Sequence, residues 1–245
     1  MEGSLCYLAN FKFEDHENLI RLIFEGIITP GIKGVQDNYA LGLDNRSRLI
    51  VTAEGRKDED HKRDMYLGAN LDAEIAKNNI WTIKERHILN EVVVDRGPSP
   101  WSTTLEIYIN EKFLVKTSGD GLIIATPTGS TAYNMATGGS LVQTNTDCIN
   151  LTPLAQHALS WRPLILPSTA EIRVKKTADG RGKAWVSLDG ANRFPLDDGE
   201  SIVITGSDHP LRFVTYKTDD LTDLWVQRLV NKLGWADTHE QKVLK

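Results

Sequence analysis

Short runs of alternating apolar and polar residues recur along most of the chain and predict β-strands. Residues 39–43 and 48–53 alternate in this way, and the β-branched run 88–95 predicts a further strand. More strands are expected at 105–109, 113–115, 122–125, 149–151, 164–166, 171–175, 184–188, 201–205 and 211–216. Asp-Gly pairs at 179–180, 189–190 and 198–199 are turn signals between them. So many short strands predict a mainly β, sandwich-like all-β domain with a few short helices.

Three segments have helical spacing instead. Residues 14–25 form a short amphipathic pattern that ends at Gly26, and a second short helix is expected at 130–137, closed by Gly138 and Gly139. A longer helix is expected at 220–233, with Asp219 or Asp220 as its cap. We therefore divide the chain into a connector with a short helix (1–26), a β-sandwich domain (27–218) and a C-terminal helix (219–245). Within the sandwich, the polar segment 54–80 predicts a loop insertion.

Composition and charge exclude several classes of protein. The chain has 40% hydrophobic and 25% charged residues, as globular domains do, and its net charge of -5 without a Lys/Arg run argues against nucleic-acid binding. It has neither an apolar run long enough to cross a bilayer nor a signal-peptide pattern. The two cysteines, Cys6 and Cys148, lie far apart, and no histidine pair has metal-ligand spacing. We expect a cytoplasmic protein without a metal site of its own.

The segment from Thr126 to Tyr133 has the pattern of a binding loop. A strand ends at Thr126, a Pro/Gly loop follows, and a helix begins at Ser130 or Thr131. Free backbone N–H groups at a helix start, together with hydroxyls, can bind a polar or anionic ligand. Tyr133 adds a flat face for a base or a ribose. A capped helix without a ligand is the alternative.

Three other positions carry weaker signals. Asn90 and Glu91 face opposite sides of the predicted strand, and a buried pair would need partners such as a ribose diol, whereas an edge strand would leave both in water. Asp189 with Gly190 is typical of a hairpin turn, a structural role. His157 is a candidate base, but no Ser, Cys or acid is placed beside it for a triad, which favours packing.

Taken together, five segments in the same order resemble the NAD kinase family. Residues 3–8 resemble its GSLGFL connector between two domains, and 89–92 with 95–100 resemble its LNEV…DRGPSP element. Residues 119–133 are similar to its GDGLI…TPTGSTAY signature, 151–153 with 157–163 to its LTP…HSLSFRP segment, and 188–190 to its terminal DG element. The resemblance covers nearly the whole chain.

The resemblance implies an activity and a binding site. The family phosphorylates the 2′-hydroxyl of the adenosine ribose of NAD to give NADP, with ATP and Mg²⁺. By resemblance, Asn90 and Asp120 bind NAD through hydrogen bonds, and Glu91 supports Asn90. Ser130, Thr131, Ala132 and Tyr133 line the dinucleotide pocket, and Thr126, His157 and Asp189 are further candidates. Ala136 stands where some members have a serine. A homo-oligomer is also expected.

The family's catalytic base lies in a GGDG motif of a separate first domain, which we expect to be missing from this chain. Residues 118–121 match the family's second Gly-Asp-Gly element instead. We therefore expect no catalytic base here, Asp120 included, and we expect the helix at 219–245 to return toward the first domain. The alternative function is a catalytically inactive NAD- or NADP-binding half-protein that acts as a regulator or subunit.

Overall fold

The computed structural model describes residues 17, 20, 41–56, 80–158, 160–216, 220–233 and 235. These residues form fourteen strands: β1 (Leu41–Arg46), β2 (Leu49–Arg56), β3 (Ile80–Ile88), β4 (Glu91–Asp95), β5 (Thr103–Ile109), β6 (Lys112–Gly119), β7 (Gly121–Ala125), β8 (Cys148–Leu154), β9 (Leu164–Pro167), β10 (Ile172–Lys176), β11 (Ala184–Leu188), β12 (Ala191–Leu196), β13 (Ser201–Gly206) and β14 (Leu211–Tyr216). A 3-10 turn (Gly129–Thr131), α1 (Tyr133–Ala136) and α2 (Leu221–Leu233) complete the described elements.

The chain divides into two compact units. The first consists of Met1–Asn45 and Arg212–Lys245, and its described part holds the β1–β14 pair and α2. The second, Arg46–Leu211, holds two six-stranded antiparallel sheets with strand orders β3-β2-β13-β10-β5-β6 and β12-β11-β4-β7-β8-β9.

The second unit is a β-sandwich because both of its sheets contribute apolar side chains to one core. On β5 and β10, buried residues alternate with half-buried ones, as two-residue periodicity requires of a sheet with one inner face. Ile107 and Val174 from the first sheet join Val92, Ile124 and Phe194 from the second in a single cluster. The predicted sandwich-like all-β class is confirmed.

At its centre, the second sheet is covered on its outer face as well as on its inner face. Every residue of β7 is buried, and Val93, Ile123, Ala125 and Leu154 form a separate apolar cluster. The Thr152 hydroxyl on β8 donates to Asn134 Oδ1 in α1 at 2.6 Å, so the segment after β7 folds back over this face. The candidate binding loop therefore lies on the outer face of the second sheet.

The predicted strands are present, with three corrections. The run 88–95 is not one strand: β3 ends at Ile88 and β4 begins at Glu91, with a bend at Leu89 and Asn90. The two residues Asn90 and Glu91 therefore do not alternate within one strand as predicted. Strand β3 was predicted only at its last residue, Ile88, because the charged run 84–86 interrupts its apolar pattern. Strand β12 was not predicted, because Pro195 and the lack of β-branched residues give no strand signal. It lies at a sheet edge, where proline is tolerated.

The helices also differ slightly from prediction. The helix expected at 130–137 is a 3-10 turn followed by α1, because Ala132 has a non-helical backbone (φ −97°, ψ −132°). Gly138, with φ +79°, ends it as predicted. Helix α2 matches the helix predicted at 220–233, and Asp220 Oδ1 accepts the Thr222 N–H at 2.8 Å. No helix among the described residues is long and apolar enough to span a membrane.

Parts of the sequence predictions fall outside the described residues. Residues 17 and 20 are helical, in agreement with a helix at 14–25, but the other residues of the connector 1–26 are not described. The same holds for most of the insertion predicted at 54–80, although its first residues, up to Arg56, belong to β2. Asp219 also lies outside the described residues.

Replacement of Gly121 by alanine is expected to destabilise the sandwich by about 3 kcal/mol. A methyl group there would overlap the Val94 carbonyl oxygen and lie 2.7 Å from the Asp95 Cα, at a backbone φ of +152°. Gly199→Ala is the control, because Gly199 also has positive φ (+84°) but open space around it, so it should cost only about 1 kcal/mol. Urea unfolding of both variants measures the difference; equal losses would contradict the overlap.

Candidate functional site

The loop after β7 lies directly against the bend between β3 and β4. The Thr126 N–H donates to the Asn90 carbonyl oxygen at 2.9 Å, and the Thr126 hydroxyl donates to the Leu89 carbonyl oxygen at 2.5 Å. The same hydroxyl accepts the Gly129 N–H at 3.0 Å. Two segments that the sequence singled out separately are thus parts of one site.

Gly129 allows this close approach because it has no side chain. A methyl group on Gly129 would overlap the Asn90 carbonyl oxygen and would lie 2.8 Å from the Asn90 Cα. The glycine of the signature therefore acts through backbone contact with the bend that carries Asn90.

The hydroxyl groups of Ser130 and Thr131 bind protein atoms. Ser130, fully buried, donates to the Pro127 carbonyl oxygen at 2.7 Å and accepts the Val142 N–H at 3.0 Å. The buried Thr131 hydroxyl donates to the Thr128 carbonyl oxygen at 3.2 Å. These side chains hold the loop in shape, and the half-buried Ala132 and exposed Tyr133 form its outer end.

Glu91 is a buried acid at the centre of the site. Its side chain belongs to a residue only 7% exposed, the Tyr133 backbone N–H donates to its carboxylate, and its Oε2 has no hydrogen-bond partner among the described residues. Burial, and then the negative charge of Asp189, raise the pKa of Glu91 to about 7, against the opposing effect of the Tyr133 N–H. Glu91 therefore changes its charge near neutral pH.

Asp189 forms the predicted hairpin turn and has a second set of contacts. Positive φ angles at Asp189 (+48°) and Gly190 (+71°) are those of a type I′ turn between β11 and β12. The Asp189 carboxylate also accepts the N–H groups of Asn90 at 2.7 Å, Leu89 at 2.9 Å and Glu91 at 3.2 Å. The sequence did not predict these bonds, and they explain why the run 88–95 bends.

Asp120 lies between β6 and β7, where its position is fixed from two sides. Arg96 Nε lies 2.8 Å from Asp120 Oδ1, and the Asp120 N–H donates to the Leu154 carbonyl oxygen at 3.0 Å. Gln156 Nε2 donates to the Gly121 carbonyl oxygen at 2.5 Å. The Asp120 side chain remains about half exposed (49%), so it is accessible to a ligand.

A polar cavity of about 390 Å³ opens beside Asp120. It is lined by Asp95, Arg96, Gly97, Asp120, Tyr133, Thr137, Pro153, Leu154 and Ala155. The cavity joins two of the predicted site residues, Asp120 and Tyr133. The other predicted site residues do not line it: Asn90, Glu91, Thr126, Ser130, Thr131 and Asp189 belong to the bend and loop described above, together with Ala132.

His157 stands apart from this group. Its ring is exposed, its Nε2 lies 3.2 Å from Ser102 Oγ, and its backbone N–H donates to the Ser118 carbonyl oxygen at 3.0 Å. It does not line the cavity. The structure thus corrects the sequence expectation in one respect, because a serine hydroxyl, that of Ser102, does lie beside His157, and the exposed ring gives the expected packing role no support.

Sequence reasoning missed three residues that shape the site. Arg96 pairs with Asp120, Gln156 supports the Gly119–Gly121 turn, and Asn134 is fully buried and donates to the Ser140 carbonyl oxygen at 3.1 Å. For Asn134, the sequence did contain a signal, because it lies inside the helix predicted at 130–137. Asparagine is a poor helix former, and a buried asparagine needs hydrogen-bond partners.

The described residues contain neither a cluster of metal ligands nor a phosphate cradle around Asp120. Within the described ranges, no group of three or more His, Cys, Asp or Glu residues could hold a metal ion. The glycines on either side of Asp120 face protein atoms: a methyl on Gly119 would lie 2.8 Å from the Gln156 side chain, and one on Gly121 would overlap the Val94 carbonyl oxygen. Neither glycine leaves room for a phosphate in the way a phosphate-binding loop does.

The sandwich with its outer loop, bend and polar cavity matches a known class of domain. Residues 89–216 match the family described as ATP-NAD kinase C-terminal domain, a range that contains every residue of the site. The chain belongs to the NAD kinase family.

Relatives from yeast and plants agree with the family match. The chain is 34% identical over 242 residues to an ATP-NADH kinase of Saccharomyces cerevisiae, which covers 98% of this chain and 43% of the relative. It is 45% identical over 242 residues to NAD kinase 2, chloroplastic, of Arabidopsis thaliana, covering 99% of this chain and 21% of the relative. The chain thus spans less than half the length of these curated relatives.

Solved structures have the same fold. The yeast NADH kinase complexed with NADH superposes with a TM-score of 0.73 at 27% identity, covering 98% of this chain and 59% of the yeast chain. An NAD kinase from Archaeoglobus fulgidus, solved in complex with ATP, has a TM-score of 0.61 at 20% identity and supports the fold alone.

Replacement of Glu91 by glutamine is expected to flatten the pH dependence of stability. Because the folded state raises the Glu91 pKa from 4.5 to about 7, it binds the proton more tightly than the unfolded chain does. Glu91 therefore stabilises the fold below about pH 4.5, and this contribution is lost as pH rises through about 7. Relative to wild type, the variant should gain about 1–3 kcal/mol between pH 4 and pH 8. Urea unfolding across this range checks the slope; an unchanged slope would contradict the assignment.

Proposed function

We propose that this chain supplies the NAD-binding part of an NAD kinase, the enzyme that transfers a phosphoryl group from ATP to the 2′-hydroxyl of the adenosine ribose of NAD, giving NADP. One observation carries the proposal: the bend at Asn90 and the Thr126–Tyr133 loop are bonded together beside the Asp120 cavity. The NADH named with the yeast structure supports a dinucleotide as the ligand.

The chemistry of the Asp120, Tyr133 and Asn90 side chains fits a dinucleotide. The accessible Asp120 carboxylate can accept hydrogen bonds from ribose hydroxyls or a carboxamide, and Arg96 holds it in place. The Tyr133 ring, 47% exposed at the cavity wall, offers an apolar face for stacking on a base. Asn90, half-buried beside the loop, can donate and accept hydrogen bonds with a ribose.

The remaining candidates shape the site or complete it. We propose that Glu91 supports Asn90, and that Ala132 with the backbone of Ser130 and Thr131 lines the pocket. The buried Thr126 holds the loop against the bend through its two hydroxyl bonds. His157 is the least supported member, because its contacts lie outside the cavity.

We propose that Asp120 binds substrate and that it is not the catalytic base. Its ion pair with Arg96 and the packed glycines around it suit a fixed acceptor rather than a phosphate-facing base. The base, ATP and Mg²⁺ would then belong to the GGDG domain of the whole enzyme, since positioning and charge stabilisation near the phosphates dominate phosphoryl transfer.

The names of the relatives favour a kinase over the non-catalytic regulator or subunit considered as the alternative. They include both NAD and NADH kinases, and the binding test therefore uses both redox forms of the dinucleotide. A homo-oligomer and a cytoplasmic location stay predictions; the Arabidopsis relative is named chloroplastic.

NAD binding by this chain, measured by calorimetry, is the direct test. Asn90→Ala and Asp120→Asn should each weaken NAD binding about tenfold, because each removes hydrogen bonds to a buried polar ligand. The matched controls are Asn145→Ala and Asp208→Asn, both at exposed positions, which should bind as wild type does. A wild-type chain that binds neither NAD nor NADH would contradict the proposed function.

The role of Asp120 is tested separately by NADP formation from NAD and Mg-ATP. If the chain turns over and Asp120→Asn abolishes turnover while NAD binding is unchanged, then Asp120 is the base and the role proposed here is wrong. Weakened binding with turnover restored at saturating NAD supports a binding role.

A further inference from the structure

We propose that Asp189 is a positioning residue of this site: its carboxylate holds the backbone bend that presents Asn90 to the dinucleotide and places Glu91 beside it, and it acts through them. The inference rests on the proposed function for its ligand. It changes the role of Asp189 from a candidate NAD contact to a support for the residues of the bend.

The geometry of the bend carries the inference. Asp189 Oδ1 accepts the N–H groups of Asn90 (2.7 Å) and Glu91 (3.2 Å), and Oδ2 accepts the Leu89 N–H (2.9 Å). In return, the Asp189 N–H donates to the Glu91 carbonyl oxygen at 3.0 Å. Three successive N–H groups that converge on one carboxylate form charge-assisted bonds, which are stronger than neutral ones. The backbone on either side of Asn90 is therefore fixed by a single side chain.

The bend would not form from local preference alone. The β-branched run 88–95 predicts one continuous strand. The chain nevertheless bends at Leu89 and Asn90, and both of their N–H groups donate to the Asp189 carboxylate. With the bend in place, the Asn90 carbonyl oxygen meets the Thr126 N–H and Gly129 packs against it. Displacement of the bend would thus also displace the Thr126–Tyr133 loop.

The hairpin itself does not require a carboxylate at this position. A type I′ turn needs positive φ at both central residues, and Asn-Gly or Gly-Gly satisfies this need as well as Asp-Gly does. Asp189→Asn therefore keeps the turn and removes the charge and one acceptor oxygen. This separates a role in the hairpin from a role in the bend.

The charge of Asp189 supplies a readout that a hairpin role would not move. Burial is the larger cause of the raised Glu91 pKa, and the negative charge of Asp189 raises this pKa further. The hydrogen bond from the Tyr133 backbone N–H opposes both effects. Loss of the Asp189 charge should lower the Glu91 pKa. Side-chain carbon NMR of Glu91 follows this titration whether or not NAD is present.

The experiment compares wild type, Asp189→Asn and the control Asp179→Asn in the full chain. Asp179 is also followed by glycine in a turn, and its carboxylate pairs with Lys116 at an exposed position. NAD binding is measured by calorimetry, the Glu91 pKa by NMR, and the Leu89, Asn90 and Glu91 amide shifts in the same spectra. We expect about tenfold weaker NAD binding, a lower Glu91 pKa and shifted amides for Asp189→Asn, and no change for Asp179→Asn.

Each result decides the inference. Unchanged NAD binding with an unchanged Glu91 pKa would overturn it, and weaker binding with unchanged amides and pKa would mean that Asp189 touches NAD directly, which overturns it too. If wild type binds no NAD, the proposed function fails, whereas the amide shifts and the Glu91 pKa still show whether Asp189 holds the bend. Should Asp189→Asn not fold, Asp189→Gly gives the same readouts with a Gly-Gly turn.

Discussion

Burial of both faces of β4 and β7 is the constraint on which the site depends. Val92 and Ile124 point into the sandwich core, while Val93 and Ile123 pack on the outer face, so this face needs a cover. The chain after β7 provides the cover, and a cover that crosses a sheet brings its backbone polar groups with it. Those groups must find partners. The carbonyl oxygens of Leu89 and Asn90 are such partners, and the loop that covers the sheet is for this reason also the loop that meets the bend.

Two carboxylates give the site its electrostatic character. Asp189 is surrounded by N–H donors, and Glu91 is buried with one oxygen unpartnered among the described residues. Burial and the charge of Asp189 oppose the charge of Glu91, and a carboxyl group perturbed in this way frequently marks a functional site. Asp120 differs from both, since its charge is met by an arginine and its side chain faces the cavity.

The sequence alone predicted the fold class, most of the strands and helix α2, with Asp219 or Asp220 as its cap, and the structure has Asp220 there. The residues expected to bind NAD stay predictions. Two-residue alternation and Asp-Gly turns are local signals, and the strands that they predict at 184–188 and 211–216 match β11 and β14. The bend at Leu89 and Asn90 was not predictable, because a side chain 100 residues away imposes it. The same limit applies to the raised pKa of Glu91, which arises from burial and from Asp189. Strand β12 was not predicted because Pro195 removes the strand signal. The strand forms nevertheless because it lies at a sheet edge, where proline is tolerated.

The separation between Leu89 and Asp189 has a consequence for folding. Contacts between residues far apart in sequence require closure of a large loop, which costs entropy before any bond repays it, and proteins rich in them fold slowly. The bend is completed only when the β11–β12 hairpin, 100 residues downstream of Leu89, reaches it. Competence to hold a ligand at Asn90 therefore depends on closure of this long loop and cannot arise from the local sequence around the bend. A ligand that binds only the closed loop would stabilise the folded chain by mass action, and would so favour the contact between two segments that the sequence places far apart.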